Sequence, residues 1–148
     1  MEKNLSAVRL TLWVERVIHA VVVLLLPGLP FLLNWYCTQR FLPEHSYRAI
    51  LIAFYCCAVF VILALLAMDR LLRNILMAQV FVTENVRCIR RMQWCCAIIS
   101  LICLPAAFFY VPLWFMVLIM AFLSLAICVV ARVMEAAIAI REENDLTI

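Results

Sequence analysis

Four apolar stretches dominate the chain, at residues 12–33, 49–68, 95–111 and 113–131. Each is near the roughly 20 residues a helix needs to cross the hydrocarbon core of a bilayer. The second and fourth contain no charged side chain, whereas the first carries Glu15, Arg16 and His19. The third is bracketed by Trp94 and Tyr110, amphipathic rings that favour a membrane–water interface. A backbone in lipid must satisfy its own hydrogen bonds, so these stretches read as helices rather than strands. The pattern predicts an all-α integral membrane protein, a four-transmembrane-helix bundle forming one domain over residues 1–148.

The segments between the spans are unequal. Spans three and four are separated by little more than Tyr110, Val111 and Pro112, which predicts a tight antiparallel hairpin. Residues 34–47 read as a longer outer loop carrying Trp35, Tyr36, Phe41, Pro43 and His45. The inner connection, residues 69–93, is too apolar for a plain linker. Leu72, Ile75, Leu76 and Gln79 recur there at helical spacing, as do Val86, Ile89 and Gln93. Both neighbouring helices are therefore expected to extend into the cytoplasm and meet near Phe81-Val82-Thr83. Thr83 would be the N-cap and Glu84 would sit in the first turn. The fourth helix should continue into the tail, residues 132–148, through a run without helix breakers.

Composition leaves lipid as the only adequate solvent. Hydrophobic residues make up 70% of the 148 and charged residues 14%, against about 45–50% and about a quarter in an ordinary globular chain. The single glycine, Gly28, excludes glycine-rich phosphate loops and dinucleotide folds and argues against turn-rich barrels. The first span reads as retained rather than as a cleaved leader. Glu2, Lys3, Arg9, Glu15 and Arg16 precede or enter it, Pro27, Gly28 and Pro30 interrupt it, and an Ala-x-Ala site is missing. Of the 12 lysines and arginines, all but Arg40 and Arg48 fall on the side of the termini and the inner connection. That bias predicts cytoplasmic termini.

Candidate chemistry is sparse. Eight cysteines include two Cys-Cys dipeptides but no Cys-x-x-Cys, and within apolar helices a free cysteine behaves as a small hydrophobe. No disulfide, zinc site or other cofactor is expected. His45 lies in a loop, so a membrane haem between facing histidines is not expected either. Ionisable groups at membrane depth usually face a bundle interior or a cavity. Glu15, Arg16 and His19 are thus candidates for an intramembrane polar site, with Arg132 and Glu135 at similar depth as partners. The rival readings are arginine snorkelling at the inner interface and a structural ion pair. Pro27, Pro30 and Pro105 free backbone carbonyls within spans one and three.

Two strings on the inner side carry a resemblance. Val80-Phe81-Val82-Thr83-Glu84-Asn85-Val86 is followed by Ile89-Arg90-Arg91, and the chain ends Arg141-Glu142-Glu143-Asn144-Asp145-Leu146-Thr147-Ile148. In these strings and in the spacing of its spans, the chain resembles a bacterial four-span membrane family of unknown function, typified by small YoaS-like proteins. The resemblance implies a plasma-membrane location, a neighbouring helix-turn-helix regulator and a signalling role. It implies no activity and no catalytic residue.

The two strings are also complementary in charge. Arg87, Arg90 and Arg91 face the acidic Glu142, Glu143 and Asp145, so the tail is expected to dock on the hairpin, with Leu146 and Ile148 against Phe81 and Ile89. Phe81, Thr83, Glu84, Asn85, Arg87, Arg90 and Arg91, with Glu142, Glu143, Asn144 and Asp145, form the candidate docking or partner surface. With no catalytic constellation in view, the expected function is non-enzymatic. The leading expectation is a sensing or signalling module that presents this surface to a cytoplasmic regulator protein. The alternative is a subunit of an oligomeric transporter or channel, hence a homo-oligomer. Nucleic acid is not an expected direct partner, because the basic patch is small and pressed against the membrane.

Overall fold

The computed structural model describes residues 2–40, 43–77 and 81–145, with side chains at 9–40, 43–77 and 81–144. Four helices follow one another: α1 (Glu2–Gln39), α2 (Glu44–Leu76), α3 (Thr83–Ala107) and α4 (Leu113–Asp145). Among the described residues there is no strand. Each helix is long and apolar enough to cross a membrane. Both α2 and α4 run for 33 residues, which at 1.5 Å per residue is about 50 Å, against about 30 Å of hydrocarbon. Phe31 and Leu24 are 81% and 77% exposed, and Phe115, Phe122 and Leu125 are similarly bare. Soluble monomers rarely expose apolar patches beyond a few hundred Å². The protein is a multi-pass membrane protein.

The helix ends differ from expectation in three places. The predicted outer loop is mostly helix, because nothing between Asn34 and Gln39 breaks α1 and the Thr38 hydroxyl bonds the Asn34 carbonyl at 2.8 Å. Pro43, extended at φ −66° and ψ 152°, then starts α2. At the other outer turn, α3 stops at Ala107 instead of reaching Val111. Pro112 disfavours a helical Val111, and Phe109 and Tyr110 close the end by donating to the Ala106 carbonyl. At the inner turn, Val82 rather than Thr83 is the N-cap, in an extended conformation and without a side-chain cap. Thr83 is already the first helical residue.

Packing follows chain order. Close backbone contacts join α1 to α2, α2 to α3 and α3 to α4, and among the described residues the α1 and α4 backbones do not meet. The core centres on α3: Ile99, Cys103, Ala106 and Ala107 pack against Ile50, Ala53 and Cys57 of α2 and Leu113 and Val117 of α4. Small side chains there allow close approach, which matters where lipid removes the hydrophobic drive between helices. Two serines add polar links between α3 and α4. The Ser100 hydroxyl donates to the Val117 carbonyl at 3.0 Å, and the Ser124 hydroxyl to the Gln93 carbonyl at 3.1 Å.

By contrast, α1 is the outlying helix. Leu12, Glu15, His19, Val22, Leu26, Leu29, Leu33 and Tyr36, spaced alternately by three and four, are all buried or half-buried, as are Gly28, Pro30 and Cys37. This heptad-like seam faces its neighbour α2. Pro30 has no N–H to offer the carbonyl four residues back, at Leu26. The Tyr55 hydroxyl of α2 takes that carbonyl at 3.1 Å, so the bond that proline removes inside α1 is replaced by one between helices.

Candidate functional site

The polar residues of α1 divide by helical register. Position 15 falls on the seam, and Glu15 is only 6% exposed. Position 16 lies about 100° further round and is exposed, so Arg16 turns outward. Neither Glu15 carboxylate oxygen has a hydrogen-bond partner, nor does Asp69 Oδ1 on α2. Arg16 Nε approaches that Oδ1 at 4.0 Å, and Arg73 binds Asp69 Oδ2 at 2.7 Å. The polar end of α1 is therefore completed by α2.

The structure does not bring Arg132 and Glu135 to this cluster. Chain-order packing places α4 beyond α3, away from α1. Glu135 instead accepts from Arg90 of α3 at 2.6 Å, and Arg132 is exposed. The expected five-residue intramembrane site is thus two separate polar contacts, one on each side of the molecule.

The inner hairpin is clamped from within. The Asn74 amide donates to the Asn85 side-chain oxygen at 2.8 Å, and Asn85 is completely buried. It holds α2 and α3 together and does not belong to a docking surface. Phe81, Thr83, Glu84 and Arg87 are exposed there, as are Arg90 and Arg91. Glu142, Glu143 and Asn144 are exposed on the last turns of α4. Leu146, Ile148 and the Asp145 side chain, which the docking idea needs, lie outside the described residues. Its other anchor, Ile89, is already buried in the hairpin.

A cavity of about 300 Å³ opens among all four helices. Its walls are apolar: Val22, Leu26 and Leu29 of α1, Phe54 and Val61 of α2, and Met116 and Met120 of α4. Cys57 and Cys103 also line it, with their sulfurs 3.6 Å apart, far beyond the roughly 2.05 Å of a disulfide. At the outer end the Tyr36 and Tyr110 hydroxyls are hydrogen-bonded and their rings meet edge to face at 5.9 Å. Among the described residues, no group of three or more His, Cys, Asp or Glu side chains is placed to hold a metal ion. Sequence reasoning missed this cavity because it depends on which faces of α1 and α4 turn toward each other. The available signal was the register shared by Ala53 with Cys57 and by Ile99 with Cys103, each pair one turn apart on one face of its helix.

The family model for proteins of unknown function, DUF2975, matches residues 16–148. The chain belongs to the DUF2975 family. No curated protein and no solved structure matches it significantly. The match begins at Arg16, so α2, α3 and most of α1 lie inside the DUF2975 region, as does the whole of α4. The Asp69 contacts, the asparagine clamp and the Arg90–Glu135 pair are all features of a DUF2975 chain.

Proposed function

We propose that this protein is a non-enzymatic sensing or regulatory module of the bacterial plasma membrane. Its termini and the turn between α2 and α3 would lie in the cytoplasm, where an exposed helical rim meets a soluble protein partner. The arginine and lysine bias supports that orientation. The observation that carries the reading is continuity. The helices α2 and α4, which wall the four-helix cavity, run unbroken into the inner polar rim. A ligand that shifts either helix at the cavity moves that rim with it, since a regular helix transmits a rigid displacement along its length. The partner-facing residues are Arg87 and Glu84 on α3 and Glu142 and Asn144 on α4.

The test is isolation of the tagged full chain in mild detergent after crosslinking in the native host. A stoichiometric soluble partner is expected, lost on Arg87→Glu with Glu142→Arg while the membrane protein remains monodisperse. Recovery of no partner, or equal recovery with the reversed charges, refutes the reading.

One observation favours a second reading, a subunit of a proton- or ion-coupled transporter. Glu15 is buried at membrane depth with neither oxygen hydrogen-bonded, beside Asp69 and His19, the type of group that marks ion pathways. In liposomes this predicts proton flux that Glu15→Gln abolishes. Flux that is absent, or indifferent to Glu15, removes it.

A further inference from the structure

A second concavity, of about 660 Å³, lies on the α2–α3 face at the inner end of the spans. Its lining changes character along a single face of α2. Leu63 and Leu66, in the uncharged run of α2, are 49% and 53% exposed. Arg70 and Arg73 follow on the same face at helical spacing, and Arg91 enters from α3. From Leu63 to Arg70 the rise is about 10 Å, so the apolar and basic parts belong to one amphipathic slot.

The charges in this slot are unequal. Asp69 is its one carboxylate, and it is bound to Arg73 with Arg16 close by. Arg70 and Arg91 have no ion-pair partner among the described residues. Two guanidiniums from different helices thus share one concavity at an interface, where arginine is the side chain best suited to bidentate phosphate binding.

We infer that this slot is a binding site for the headgroup of an anionic glycerophospholipid. The phosphate would sit between Arg70 and Arg91, with the acyl chains along Leu63 and Leu66. A soluble anion satisfies the arginines but leaves the leucines uncovered. A cytosolic protein reaches the arginines but not the leucines below them. A zwitterionic lipid brings its own ammonium against the guanidiniums. Basic pockets between membrane helices hold anionic headgroups in this way. Under the orientation proposed above, the leaflet is the cytoplasmic one, but the binding itself does not depend on that orientation.

The experiment is native mass spectrometry of the purified full chain with dioleoyl-phosphatidylglycerol, dioleoyl-phosphatidylcholine or inorganic phosphate. The expected result is one phosphatidylglycerol retained at energies that strip phosphatidylcholine. Each arginine near a headgroup contributes a factor of about five, so Arg70→Gln with Arg91→Gln should weaken retention about thirtyfold. Arg9→Gln, which removes an exposed arginine of α1 outside the slot, should leave it unchanged. The single variants should each lose about fivefold and decide the matter should the double variant not fold. Equal retention in the arginine variants, an equal loss with Arg9→Gln, or full displacement by inorganic phosphate would each overturn the inference.

Discussion

The Tyr55–Leu26 bond offers a direct measure of what a proline costs a membrane helix. The Leu26 carbonyl loses its intrahelical donor because residue 30 is proline, and the Tyr55 hydroxyl supplies the replacement at 3.1 Å. Tyr55→Phe removes only that oxygen. An acceptor left unsatisfied away from water costs about 1–3 kcal/mol, while measured side-chain hydrogen bonds between membrane helices average about 0.6 kcal/mol and reach about 1.7 kcal/mol. This case is placed near the upper figure because Pro30 removes the ordinary donor to the Leu26 carbonyl within α1. A loss of about 1.5 kcal/mol corresponds to roughly a tenfold shift in the unfolding equilibrium.

The assay is reversible unfolding in mixed detergent and sodium dodecyl sulfate, run as a double-mutant cycle with Pro30→Ala. Alanine restores an N–H to the Leu26 carbonyl, so Tyr55 becomes redundant. In that background Tyr55→Phe should cost less than about 0.5 kcal/mol, leaving a coupling of about 1 kcal/mol. An equal cost in both backgrounds would refute the reasoning, because the tyrosine would then be acting through packing alone.

Other variants discriminate among the remaining contacts. Ser100→Ala removes a hydroxyl whose acceptor, the Val117 carbonyl, has a non-proline residue four positions ahead; it should cost about 0.5 kcal/mol in the same unfolding assay, clearly less than Tyr55→Phe. Asn74→Ala removes the amide that donates to the buried Asn85 side-chain oxygen, and a loss of about 1 kcal/mol should appear as faster hydrogen exchange at the start of α3. The Arg90–Glu135 pair is 57% and 38% exposed, so Arg90→Ala should cost less than about 1 kcal/mol and the remainder should shrink further with added salt. Spin labels on Leu24 and Phe122, both facing lipid, should report a broader α1–α4 distance distribution in the triple variant Tyr55→Phe, Tyr110→Phe, Asp69→Asn. A label pair on Leu101 and Phe122 should stay narrow, and equal broadening of both would contradict a selective release of α1.

What the sequence made legible follows from the physics of each feature. An uncharged run as long as that in α2 or α4 has one outcome in a cell, so span number and helix type were readable. The helical continuations through Leu72 and Ala137 were readable too, because nothing in them breaks a helix. The pairings were not. Whether Glu135 faces α1 or α3 depends on which helices are neighbours, and composition carries no trace of that order. Asn85 looked like surface because it is polar and lies in a charged string, but its position turns it toward Asn74 and the interior. The outer loop was over-read because aromatic and polar residues such as Trp35 and Thr38 suggest a loop, although they continue a helix at an interface equally well.

The way α1 is attached bears most on how the molecule works. Helices α2, α3 and α4 share one buried cluster in which Ala53, Cys57, Cys103, Ala106 and Ala107 interleave with Ile50, Ile99, Leu113 and Val117, which gives extensive van der Waals contact. Apart from Glu15 and His19, the α1 seam is built of leucine, valine and tyrosine, and among the described residues the α1 backbone packs closely against α2 alone. Its specific ties come at three depths: Arg16 to Asp69 at the inner end, Leu26 to Tyr55 midway, and Tyr36 to Tyr110 at the outer end. In lipid, apolar surface gains little by leaving other apolar surface, so these polar ties and the seam packing set the cost of moving α1. The cavity is walled by both α1 and α4, whose backbones do not meet among the described residues, so it adjoins the helix whose backbone packs on one neighbour alone. The middle tie exists because of Pro30, so the residue that weakens α1 internally also fixes where α2 grips it.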